Sequence, residues 1–126
     1  MRAALSTMAL LAFVAPAQAQ PREISGQAGL LGEWELTATV TERIANGMQE
    51  LVGPMSMKHV GLCTVDGPEE KAGELRVRIF SSSTRMKATL LIDGTECTYE
   101  GTLKDSYNGL MSCPDRRSVP LTLWIK

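Results

Sequence analysis

Apolar residues recur at every second position in short stretches of this chain, and that alternation confines each stretch to a strand with one buried and one wet face. Trp34, Leu36, Ala38 and Val40 alternate with Glu35, Thr37, Thr39 and Thr41. Leu75, Val77 and Ile79 alternate with Glu74, Arg76 and Arg78, and Met86, Ala88 and Leu90 with Arg85, Lys87 and Thr89. Val119, Leu121, Leu123 and Ile125 repeat the pattern near the end of the sequence. Between these stretches lie turn signals: Asn46-Gly47, Asp66-Gly67-Pro68, Ser81 to Thr84, Asp93-Gly94, Lys104 to Ser106 and Pro114 to Ser118. No helical stripe of useful length interrupts them. The expected fold is all-β, a small antiparallel up-and-down barrel or compact sandwich of seven or eight strands. Closure into a barrel would remove the two unpaired edges that an open meander exposes.

The first residues carry a different pattern. Arg2, an apolar stretch through Pro16 and the small-x-small triplet Ala17-Gln18-Ala19 read as a secretory signal peptide over residues 1–19. The stretch is shorter than the roughly 20 residues that span a bilayer, so cleavage is expected, with no membrane insertion afterwards. Residues 20–29 read as a mobile lead-in and 30–126 as a single β-barrel domain. The expected location is periplasmic or secreted.

Removing 19 residues from 126 leaves 107, enough for one domain with one core. Of the 13 basic and 14 acidic residues only Arg2 leaves with the signal, so the charge of the remainder is close to neutral. That balance, with two Phe, two Tyr and two Trp, supplies neither the basic surface nor the stacking platforms of a nucleic-acid binder.

Export makes the three cysteines, Cys63, Cys97 and Cys113, candidates for disulfide bonding with one left over. Two hairpins set the expected pairing. A two-residue turn at Asn46-Gly47 places His59 opposite Trp34, Met57 opposite Leu36 and Met55 opposite Ala38. Pro54 is the weak point of that register, because a bulge there would turn the face over. A three-residue loop at Lys104 to Ser106 places Tyr99 opposite Met111 and Cys97 opposite Cys113, favouring a bridge between those two cysteines. A turn at Asn108-Gly109, a bridge through Cys63, and free buried thiols are the alternatives.

Gly32-Glu33-Trp34, leading into an alternating strand, resembles the Gly-x-Trp opening of lipocalin-like (calycin) small barrels. The resemblance implies a tryptophan that plugs the closed end of a barrel, with a small apolar ligand held at the other end. The corresponding lining would be Trp34, Leu36, Met55, Met57 and His59. The same opening is similar to that of small periplasmic protease inhibitors, which implies a tail, here residues 20–29, reaching into a protease or another protein partner. Met55, Met57 and His59 fall on one strand face, and thioether and imidazole donors suit a soft ion. A Met-x-Met beside His and Trp is similar to the site of periplasmic copper chaperones, which implies a Cu(I) carrier.

Catalytic signatures are missing from the sequence. His59 is the single histidine, and no nucleophile elbow accompanies it. Glu69-Glu70 and Arg116-Arg117 read as solvated turn residues. The expectation is a binding protein that does no chemistry and needs no cofactor, copper in the carrier reading apart.

Overall fold

The computed structural model describes residues 21–29, 32–60, 69–80, 83–114 and 116–126. Eight antiparallel strands run in order around a closed barrel: β1 (Pro21–Ala28), β2 (Trp34–Ala45), β3 (Met48–His59), β4 (Glu70–Phe80), β5 (Arg85–Ile92), β6 (Thr95–Leu103), β7 (Tyr107–Cys113) and β8 (Arg116–Ile125). Each pairs with its sequence neighbours, and β1 closes the ring by pairing with both β2 and β8, so that Ala28 stands between Trp34 and Leu121. The topology is therefore up-and-down, and every strand has a paired neighbour on each side.

Alternation decides the inside. Leu36, Leu51, Leu75, Met86, Leu90 and Leu123 are fully buried, whereas their chain neighbours Glu35, Glu74, Lys87 and Thr122 lie on the wall outside or are only partly covered. Burying a side chain of this size contributes about 1.5–3 kcal/mol, and among the described residues nineteen buried hydrophobic ones share the one core.

Turn chemistry fixes the register. Asn46 and Gly47 have φ of 53° and 72°, and Asp93 and Gly94 have 48° and 83°, the doubly positive pattern of a type I′ hairpin turn. The first of these turns gives the expected pairs Trp34 with His59, Leu36 with Met57 and Ala38 with Met55. Pro54 does not turn the face over. The β2–β3 ladder runs from Ala38↔Met55 to Thr41↔Val52 in unchanged register, and the stretch it omits contains Gly53 and Pro54. The ladder is thus interrupted where proline has no N–H to give. Gly53 is required there, since a Cβ on it would collide with the Thr39 carbonyl oxygen.

The three-residue loop at Lys104 to Ser106 is also present, with Tyr99 opposite Met111, Gly101 opposite Gly109, and Leu103 opposite Tyr107. Asn108-Gly109 lies inside β7 and forms no turn. Cys97 and Cys113 are disulfide-bonded across β6 and β7, with Cα atoms 4.3 Å apart. Residues 1–19, Leu30, Leu31 and Cys63 lie outside the described residues, as do the readings placed on them.

One expectation is corrected. Most of residues 20–29 is no mobile lead-in: Pro21–Ala28 is a full strand of the wall, hydrogen-bonded on both sides, and the barrel could not close without it. Ile24 and Ala28 supply its buried face. The lone isoleucine among polar and small residues hides an interior face that is narrow because its neighbours are large.

Candidate functional site

The end of the barrel reached by the first residue of β2 and the last of β3 holds a cavity of about 210 Å³. Trp34 and Met57 form one side of it. Ile92, Met111 and Val119 also line it, with the Cys97–Cys113 disulfide, Lys71 near the start of β4 and Asp93 in the turn after β5. All eight strands and the Asp93-Gly94 turn thus contribute to this space, because successive hairpins alternate between the two ends of the barrel. Backbone bonds secure the surrounding chain: His59 N–H donates to the Glu69 carbonyl (2.8 Å), Val60 N–H to the Glu33 carbonyl (2.7 Å) and Gly29 N–H to the Pro120 carbonyl (2.9 Å).

Trp34 is the centre of this end. The His59 ring meets it edge-on, with centroids 4.7 Å apart and planes at 73°. Lys71 Nζ stands 5.2 Å from the indole centroid, within cation–π range. The indole is held from two directions and leaves the cavity with an aromatic wall.

The five residues singled out in the sequence divide by depth. Trp34 and Met57 line the cavity, and His59 braces Trp34 from the rim. Leu36 and Met55 lie in the packed core, 0% and 4% exposed, and do not border the cavity. The remaining lining comes from Ala28 and Gly29 at the end of β1 and from β4 to β8, Lys71, Ile92, Met111 and Val119 above all. Only the pairing of Cys97 with Cys113 pointed toward it, since that bridge forms part of the wall.

The resemblance to a Gly-x-Trp barrel implied a ligand space at the end away from the tryptophan, whereas this cavity is at the tryptophan's own end. At the opposite end Tyr107 and Leu123 are buried, Arg22 pairs with Glu42 (3.1 Å) and donates its Nε–H to the Lys126 carbonyl, and a depression of about 260 Å³ opens beside Arg22, Tyr107 and Leu123. The largest concavity, of about 960 Å³ and bordered by Arg76, Arg78, Arg85 and Lys87, and others of about 410 and 340 Å³ lie along the outer wall among exposed polar side chains. They lack the enclosed apolar lining of a small-molecule site.

Met55 and Met57 both face the interior, while His59 is at the rim. Among the described residues, no group of three or more His, Cys, Asp or Glu side chains is arranged to hold a metal ion. Burial raises the Tyr99 hydroxyl to a pKa of about 12 and also raises Tyr107. No family model, curated protein or solved structure matches the chain.

Proposed function

We propose that the chain is an exported, non-enzymatic binding protein, lipocalin-like in architecture, that carries a small apolar molecule in the cavity beside Trp34. The observation that carries this reading is the cavity of about 210 Å³ walled mainly by an indole, two thioethers, aliphatic groups and a disulfide, with Lys71, Asp93 and Thr95 as its polar members. A dry apolar cavity of about 150 Å³ accepts benzene, so this one suits a single substituted ring or a short alkyl chain. It is too small for the large ligands of pockets that begin near 300 Å³. The reading places the protein in the periplasm or outside the cell, with the signal peptide over 1–19 removed.

The experiment is a titration of the form beginning at Gln20 with toluene, indole and hexanol, followed by Trp34 fluorescence and by calorimetry. Saturable binding that disappears in Val119→Trp is the expected result. Absence of saturable binding by every probe rejects the proposal. A competition titration with Cu(I) addresses the carrier reading based on Met55, Met57 and His59, and the apolar-ligand reading expects no complex tighter than micromolar. Protease inhibition through a free tail has lost most of its segment, because Pro21–Ala28 belongs to the wall.

A further inference from the structure

The end of the barrel opposite the cavity exposes a large apolar residue at four of the places where strands finish. Ile44 precedes the Asn46-Gly47 turn, Phe80 ends β4, Leu103 ends β6 and Trp124 lies next to the end of β8. Their exposures are 72%, 44%, 41% and 38%, so none is absorbed into the core. Between Leu103 and Trp124 lies a depression of about 260 Å³ bordered by Ile79, Tyr107 and Leu123.

A cation accompanies each of them. Arg43 precedes Ile44, Lys104 follows Leu103, and Lys126 stands two residues beyond Trp124. Arg85 opens the strand after Phe80, and the Leu103 N–H bond to the Thr84 carbonyl (2.8 Å) draws those two strand ends together. Among the described residues none of Arg43, Arg85, Lys104 and Lys126 makes an ion pair. Glu42 is taken by Arg22. Glu50 stands across from Arg43 in register without pairing to it, Glu23 lies on β1, and Asp105 is the acid at the Lys104 to Ser106 turn.

We propose that this end docks on an anionic lipid bilayer, with Ile44, Phe80, Leu103 and Trp124 entering the interface and the neighbouring cations meeting lipid phosphates. A protein partner concentrates its anchors in one packed central pocket. Here the anchors are spread over separate strand ends, each beside a cation, a spacing that a fluid interface accepts without shape complementarity. The barrel does not span the membrane. Its outward residues, such as Glu35, Thr37 and Thr39 on β2 and Lys87 and Thr89 on β5, provide no apolar band of the required height. The near-neutral charge of the whole chain conceals this local arrangement. Docking in this orientation would turn the cavity end away from the lipid.

The test uses the form beginning at Gln20, which contains all eight strands, in sedimentation with phosphatidylcholine vesicles with and without phosphatidylglycerol. The expected result is partitioning at least about tenfold stronger on the anionic vesicles, weakened by salt. Phe80→Ser with Leu103→Ser, and separately Arg43→Ser with Lys104→Ser, should each reduce it about tenfold. Thermal unfolding confirms that these exposed substitutions leave the barrel folded. Trp34→Phe leaves Trp124 as reporter, and its emission should shift blue on vesicles and be quenched by brominated lipid. Trp124→Phe leaves Trp34, which should report neither. Equal partitioning on both vesicles, none on either, undiminished binding in both folded double variants, or a lipid response from Trp34 overturns the proposal. So does a concentration-dependent dimer abolished by Phe80→Ser with Leu103→Ser, which would assign the surface to a second copy.

Discussion

The hydroxyl of Tyr99 fills the space in front of Gly101 that a Cβ would occupy, and no donor or acceptor among the described residues meets it. Tyr99 and Gly101 share the inward face of β6, two positions apart, so the ring lies along its own strand and covers the bare glycine. The arrangement packs well and satisfies hydrogen bonding poorly. An unsatisfied buried hydroxyl costs about 1–3 kcal/mol. Tyr99→Phe is therefore expected to leave the urea midpoint unchanged or raise it. Gly101→Ala forces the ring to move and should cost about 1–3 kcal/mol. Combining the two should recover part of that loss, because the colliding oxygen is gone.

The same burial makes stability depend on alkaline pH. Tyr99 is raised from 10.0 to about 12, and Tyr107 is raised as well. Below pH 10 both tyrosines are neutral in the folded and unfolded chains, and the stabilisation is fully present. As pH rises from 10 toward 12 the unfolded chain releases protons that the folded chain retains, so stability falls. For Tyr99 the loss is on the order of 2–3 kcal/mol. Chemical denaturation at a series of pH values should show this decline, and Tyr99→Phe should make it shallower.

Most of the wall was legible because turns and cysteines specify register independently of propensity. Asn46-Gly47 admits one close pairing of β2 with β3, and the Lys104 to Ser106 loop brings Cys97 opposite Cys113. β1 was not legible for a packing reason. Its inward residues are Ile24, Gly26 and Ala28, and a Cβ on Gly26 would come within 2.7 Å of Leu123 Cδ2 and 2.9 Å of the Thr122 carbonyl oxygen. Large leucines on β2 and β8 fill the space that β1 faces, so its own sequence carries almost no apolar signal.

The candidate site was half legible. Trp34 and Met57 follow from one hairpin, but their facing partners Ile92, Met111 and Val119 belong to strands whose height around the barrel no local pattern records. The apolar ring at the other end was hidden by parity. Ile44 and Leu103 continue the inward alternation of β2 and β6, yet both protrude because the wall stops beside them.

The Cys97–Cys113 bridge closes a loop across a sequence separation of 16. A loop of this length restricts the unfolded chain by about 3 kcal/mol on the chain-entropy model. Reduction, or paired substitution by alanine, should lower the unfolding free energy by about that amount in a denaturant titration. Since both cysteines border the cavity, the reduced protein should also release a bound probe faster, as read by stopped-flow fluorescence at Trp34.

Core and cavity predict opposite responses to substitution. Leu36 and Met55 are buried in the core, so Leu36→Ala and Met55→Ala each remove packed volume and should cost about 2–5 kcal/mol. Neither borders the cavity, and at temperatures where these proteins remain folded their affinity for a small apolar probe should change little. Val119 is only half-buried and faces about 210 Å³ of open space. Val119→Trp adds volume where there is room for it and should alter stability by less than about 1.5 kcal/mol while abolishing probe binding. Urea midpoints and calorimetric titrations on the three variants separate the two classes. Loss of binding in Leu36→Ala at full folding, or its survival in Val119→Trp, would move the ligand from the Trp34 cavity into the barrel centre.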